Sequence, residues 1–249
     1  MAQFRSQDGL TLGMMTNGAY LLADHDLPFG GPLGLGRFII DFLLSPADLQ
    51  ITAPNGLRTG NFGGQIRAEI PGSHPCYLVP GAYMLPTDTP LTRRITGTGA
   101  GQYTFTSMIP DAGSLVLQDV TTAAGQVDVL SVSADQTHLR FTPAGEKTFN
   151  ITMARQVGDQ ARAIALHGVG GGPATDVDIT TSPELAFAHL GNPGTARNVE
   201  VQAFMFDRKT NKRLNKHFTA INVPANSALK VDIQNWQTVD ASVQTSNNL

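Results

Sequence analysis

The sequence predicts an all-β protein: two antiparallel β-sandwich domains in tandem, preceded by a short loop-plus-helix segment. Three observations predict it. Short stretches alternate apolar and polar residues with a period of two. In Thr148-Phe-Asn-Ile-Thr-Met153 this puts Phe149, Ile151 and Met153 on one face and Asn150 and Thr152 on the other. Such stretches recur about every 8–12 residues between Gly, Pro, Asn and Asp, the spacing of sandwich strands. The 26 Gly and 15 Pro, roughly one residue in six, supply the turns this needs. No helical crossovers separate the strands, as a doubly wound parallel sheet would require.

A helix is expected only near the start. Gly30-Gly-Pro32 leads into Leu35, Phe38, Ile39, Phe42 and Leu43, spaced i, i+3, i+4, i+7 and i+8, the stripe of a helix with one buried face. Pro32 suits the first turn, and Ser45-Pro46 stops the helix at Leu44. From Pro46 the period changes. Asp48-Leu-Gln-Ile-Thr52 alternates and Ala53-Pro-Asn-Gly56 turns the chain. Further strands are expected at residues 65–70, 76–79, 92–96 and 102–108. They complete a first sandwich module, residues 45–110, that ends at the turn cluster Pro110-Asp-Ala-Gly113. The second domain, 111–240, carries expected strands at 115–120, 127–133, 138–142, 148–153, 161–167, 175–180, 199–206, 218–223 and 229–233. No fixed-period repeat stands out, and the polar tail, 241–249, is expected to fray.

Composition narrows the function. A net charge of −3 gives no electrostatic case for nucleic acid, which usually demands a basic surface. One cysteine rules out an internal disulfide framework and any multi-cysteine zinc or iron–sulfur site. No metal or cofactor is expected. No apolar run reaches the roughly 18 residues of a membrane span. The first residues, Met1-Ala-Gln-Phe-Arg-Ser-Gln-Asp8, lack the basic-then-apolar pattern of a signal peptide.

Few residues suggest chemistry. Gly168-Val-Gly-Gly-Gly172 lacks the Gly-Lys-Ser/Thr ending of a phosphate loop and is expected to be a flexible turn. Arg208, Lys209, Lys212, Arg213 and Lys216 cluster after a strand ending at Phe206. They read as a hairpin tip, either solvated or touching an anionic surface. Cys76 beside His74 reads as structural, since neighbours along a strand face opposite ways. Asp176 and Asp178 share a strand face but fall short of the oxygens calcium wants. Trp236, the lone Trp, is a core anchor or a sugar platform at a strand end. In Asp24-His-Asp26, His25 is flanked by carboxylates where a general base could sit. No Gly-x-Ser-x-Gly, His-Glu-x-x-His or Cys-x-x-Cys occurs, so no nucleophile is identifiable.

Three segments in order carry a resemblance. They are Leu44-Ser-Pro-Ala-Asp-Leu-Gln-Ile-Thr-Ala-Pro-Asn-Gly-Leu-Arg-Thr-Gly60, Glu69-Ile-Pro-Gly-Ser73, and Ile95-Thr-Gly-Thr-Gly-Ala-Gly-Gln-Tyr-Thr-Phe105. Together, over residues 44–108, they resemble a β-sandwich module found C-terminal to bacterial secreted hydrolases and in other extracellular multidomain proteins. Asn61-Phe-Gly-Gly64 departs from the more polar, Asp-bearing loop expected there. Upstream, Gln7-Asp-Gly-Leu-Thr-Leu12 and Leu22-Ala-Asp-His-Asp-Leu27 resemble the end of a lipase-like α/β-hydrolase. That resemblance implies Asp8 as triad acid, His25 as base, 31–44 as the closing helix, and a serine further upstream. It also implies an exported or extracellular location, with an upstream catalytic domain or a lipid or ester substrate as partner.

Three readings follow. The first is a non-catalytic accessory or binding module of an exported lipase-like hydrolase. The second is the C-terminal part of an ester hydrolase, with Asp8 and His25 acting on an upstream Ser. The third is a self-standing surface protein that binds glycans or proteins, with Trp236 and the basic residues Arg208, Lys209, Lys212 and Arg213 as contacts.

Overall fold

The structure is a computed structural model of the 249-residue chain. It describes residues 38–44, 46–76, 79–109, 113–173, 175–192, 194–233 and 239–245. The described residues are all-β, with no helix, and form two antiparallel sheets. In chain order the strands are β1 (Phe38–Leu44), β2 (Ala47–Thr52), β3 (Arg58–Phe62), β4 (Gln65–Ala68), β5 (His74–Pro75), β6 (Ala82–Pro86), β7 (Leu91–Gly97), β8 (Gly101–Ile109), β9 (Gly113–Thr122) and β10 (Val127–Val132). They continue with β11 (His138–Thr142), β12 (Lys147–Val157), β13 (Gln160–Gly171), β14 (Val177–Thr181), β15 (Phe187–Asn192), β16 (Arg197–Asp207), β17 (Lys212–Val223), β18 (Ser227–Ile233) and β19 (Val239–Thr245).

The first sheet has nine strands in the order β17-β16-β13-β12-β9-β8-β1-β6-β5. The second has ten, β19-β18-β15-β14-β11-β10-β7-β2-β3-β4. From β8 onward the chain lays hairpins alternately in the two sheets, each beside the last one in its own sheet. Alternation along each strand sends one row of side chains inward. Leu49, Ile51, Ile95, Leu130, Phe141 and Ile179 of the second sheet meet Leu117, Phe149, Ile151, Ile164 and Val201 of the first, in one contiguous core. The Phe141 and Phe149 rings join the sheets edge to face at 4.9 Å.

Two buried ionic groups cross the same gap. Arg93 of β7 binds Asp41 of β1, with Nε 2.6 Å from Oδ2, and both side chains are essentially unexposed. Asp128 of β10 takes Lys147 Nζ at 2.6 and 2.8 Å, the Tyr103 hydroxyl at 2.7 Å and the Ala144 N–H at 2.7 Å. Burial, then the Asp128 charge, pushes the Tyr103 hydroxyl far above its ordinary pKa, so it stays a donor. The expected division near residue 110 falls inside the β8–β9 hairpin, and the sheets run across it through β8–β9 and β7–β10 pairing.

Several expectations are corrected. The expected helix over 31–44 is, over Phe38–Leu44, the strand β1, lying between β6 and β8; residues 31–37 lie outside the described residues. Ile39 and Leu43 enter the core, while Ile40, on the other face, is also only 3% exposed. A strand covered on both faces loses its period of two, and an apolar run can then imitate a helical stripe. The expected fraying of 241–249 fails for residues 241–245. They pair with β18, setting Ala241 opposite Val231 and Val243 opposite Leu229. Of the expected strand at 76–79, Tyr77 and Leu78 lie outside the described residues, and Cys76 and Val79 belong to no strand: the Val79 N–H donates to the Cys76 carbonyl. The glycine run at 168–172 is not a loose turn: Gly168 to Gly171 belong to β13. A Cβ on Gly170 would fall on the Arg197 guanidinium, and one on Gly171 on Val177. Strands β3, β6 and β15 were not expected from the sequence.

Candidate functional site

Among the described residues, an open trough of about 570 Å³ with mixed polar and apolar lining runs across β2, β7, β10 and β11 of the second sheet. That volume lies in the range of small-ligand sites, about 300–1,000 Å³. Register builds it. Thr52 pairs with Thr92, Thr92 with Ser131, Ser131 with Arg140, and Arg140 with Asp178 of β14. Residues in one register row share a face, so three hydroxyls lead to a guanidinium. Pro54 and Pro90 line the trough just past the end of β2 and just before β7.

The turn joining β10 and β11 fixes the other wall. The Ser133 N–H donates to the His138 carbonyl at 2.9 Å, and Gln136 sits in the left-handed region at φ 57°. Asp135 Oδ1 accepts from Ser133 Oγ at 2.6 Å, Thr137 Oγ1 at 2.8 Å and the Thr137 N–H at 3.0 Å. Partial burial pushes the Asp135 carboxyl up, but these hydrogen bonds outweigh it and hold the group below the usual carboxylate range.

His138 and Arg140 project from this turn into β11. His138 Nε2 lies 2.7 Å from Asp178 Oδ1, while Arg140 Nε and Nη2 donate to Asp178 Oδ2 at 3.2 and 3.1 Å. One carboxylate therefore orients both side chains and commits two of the five guanidinium donors. The His–Asp pair resembles part of a catalytic triad only in composition. The nearby Ser133 hydroxyl donates to Asp135 and not to the imidazole, and the group presents hydrogen-bonding side chains along the trough.

Asp176 and Asp178 do share this face. Thr142 Oγ1 donates to Asp176 at 2.7 Å, and Arg140 stands between the two carboxylates. Among the described residues no group of three or more His, Cys, Asp or Glu could hold a metal ion. Asp8, His25 and Trp236 lie outside the described residues. Arg208 and Lys209 occupy the turn after β16, where Asp207 accepts from the Thr210 N–H at 2.8 Å, a bond that lowers its carboxyl pKa. Lys212, Arg213 and Lys216 are not at the tip but along β17, with the Arg213 guanidinium over the Phe206 ring. That basic group belongs to the first sheet and the trough to the second, so the fold does not bring them together. Cys76 is half-buried, and burial pushes its thiol up, away from the reactive thiolate.

Sequence reasoning missed His138 and Arg140. The alternation of His138-Leu-Arg-Phe-Thr142 puts both on the polar face, yet their partner Asp178 stands about 40 residues later. Only the β11–β14 pairing discloses the group. No protein-family model matches the chain, and no curated protein or solved structure matches it.

Proposed function

We propose that the chain is a non-catalytic binding module that offers the Thr52, Thr92, Ser131 and Arg140 row to a polyhydroxylated ligand, a glycan chain. One observation carries this reading. Four adjacent strands align hydroxyl and guanidinium groups along a trough, and Asp178 pairs with both Arg140 and His138 and orients them along it. The test is calorimetric titration with cellohexaose, xylohexaose, chitohexaose and polygalacturonate. A hydrogen bond to a charged group contributes about 1.5–3 kcal/mol, so Arg140→Ala weakens binding roughly 10- to 150-fold. Binding of none of the four, or binding that survives the Thr92→Ala/Arg140→Ala double substitution, overturns the reading.

The hydrolase resemblance supplies a setting for the module, although the closing helix it implied is, over Phe38–Leu44, the strand β1. On this reading the sandwich is the accessory region of an exported lipase-like hydrolase, following the segment that carries Asp8 and His25. His25 would deprotonate a serine supplied upstream, with Asp8 orienting the imidazole. The test is the intact mass from the native source. A longer chain with esterase activity that His25→Ala abolishes supports the setting, and activity surviving that substitution removes it.

A further inference from the structure

The two sheets differ in the face that each turns away from the other. On the second sheet that face is polar, with Thr92, Ser131 and Arg140 exposed. On the first sheet it is apolar across six neighbouring strands, β6, β1, β8, β9, β12 and β13. One register row there runs Ala82, Phe42, Thr106, Val116, Thr152 and Ala165. The next row runs from Met84 and Ile40 to Ala163, and neither row holds an ionisable side chain.

These side chains are buried although they point away from the core. Ile40 is 3% exposed, Met84 6%, Val116 1% and Ala163 7%, yet none belongs to the contiguous core between the sheets. Their chain neighbours do: Ile39, Tyr83 and Leu85, Leu115 and Leu117, and Ile164. An uncovered outer face of an antiparallel sheet is wet, as Leu44 is at the end of this same face of β1, 50% exposed. Val116 pairs with Thr152, midway along the eleven residues of β12 and away from any turn. The middle of this face is therefore covered. The burial is complete within one chain, so no second copy is needed to supply it.

Length selects the occupant. Every described strand belongs to one of the two sheets, so none forms a third layer. Six strands about 4.8 Å apart measure about 24 Å across. Apart from residues 1–37, the stretches outside the described residues have at most five residues, which reach about 18 Å when fully extended. Residues 1–37 exceed the span several times over and carry Leu10, Leu12, Met14, Met15, Leu21 and Leu22. They also join directly to Phe38 of β1, a strand of the apolar face itself. We propose that residues 1–37 dock on the outer face of the first sheet and bury Ile40, Val116 and their neighbours there. The segment that carries Asp8 and His25 then sits on the side of the sandwich opposite the trough.

NOE spectroscopy of the full chain with isotope-labelled Ile, Leu, Val and Met methyl groups tests this, with a soluble paramagnetic relaxation agent as a second readout. The expected result is NOEs from the Ile40, Met84 and Val116 methyls to methyls of residues 1–37. Val116 is then as protected from the agent as Leu117 of the core, while the exposed Leu44 relaxes fast. Val116 relaxing as fast as Leu44 overturns the proposal, because the face is then bare. So do NOEs from this face only to residues beyond 37. NOEs between labelled and unlabelled chains in a mixed sample overturn it as well, since they put a second copy on the face.

Discussion

Removing Asp41 is the sharpest single perturbation of the cross-sheet bracing. In the native chain Arg93 Nε donates to Asp41 Oδ2 at 2.6 Å, Nη2 to Oδ1 at 3.4 Å, and Nη1 to the Leu91 carbonyl at 3.1 Å. Asp41→Ala leaves a guanidinium only 1% exposed with one backbone carbonyl in place of a carboxylate. Breaking a buried pair from one side costs about 3–5 kcal/mol, because an uncompensated charge stays in the core. Against a total stability of about 5–15 kcal/mol, that is a large share. Replacing both partners with apolar residues, Asp41→Leu with Arg93→Met, removes the charge altogether and brings stability back to the wild-type value or above it. Urea unfolding followed by circular dichroism measures both variants. With an m-value of about 3 kcal/mol/M, the single substitution moves the midpoint down by about 1–1.7 M. A loss under about 1 kcal/mol for Asp41→Ala, or a double variant less stable than the single one, refutes the reasoning.

Other outcomes follow from the same structure. Gly60, at φ 129°, has the Leu49 carbonyl where a Cβ would lie, whereas Gly56, at φ 83°, faces open space. In thermal melts Gly56→Ala shows only the left-handed penalty of about 1–2 kcal/mol, and Gly60→Ala loses clearly more. The Asp135 carboxyl has a lowered folded-state pKa, so its contribution is full above the unfolded value of about 3.9 and is lost as pH falls through the folded value. Urea midpoints between pH 5 and pH 2 should accordingly fall less steeply in Asp135→Asn. His189 is lowered by burial and then by Lys230, with Asp232 opposing. The unfolded state thus binds its proton first, and stability declines as pH falls through about 6.5, levelling below the folded value. His189→Asn removes that slope. The raised Cys76 thiol should label with a disulfide reagent at pH 8 much more slowly than in urea, and equal rates would show it accessible as thiolate.

Legibility followed exposure. Strands with one wet face, such as β12 and β18, alternate in the sequence and were expected close to their positions. Strand β1 was not, because Ile40 is buried on the face opposite Ile39 and Leu43, and Phe38-Ile-Ile-Asp-Phe-Leu-Leu44 satisfies a helical period as well as an extended one. Four of the five residues of β6 are buried, which erases its period too. The trough and the Asp41–Arg93 brace were invisible for a different reason. Each depends on pairing between segments roughly 40 or more residues apart, which periodicity does not encode.

The trough across β2, β7, β10 and β11 is the proposed ligand surface. The most direct measurement is a backbone-amide NMR titration of the chain with the four oligosaccharide and polysaccharide probes. The expected result is shifts concentrated at Thr52, Thr92, Ser131, His138 and Arg140 with at least one probe, and their loss in Arg140→Ala. Shifts centred on the β16–β17 turn, or none with any probe, would contradict it.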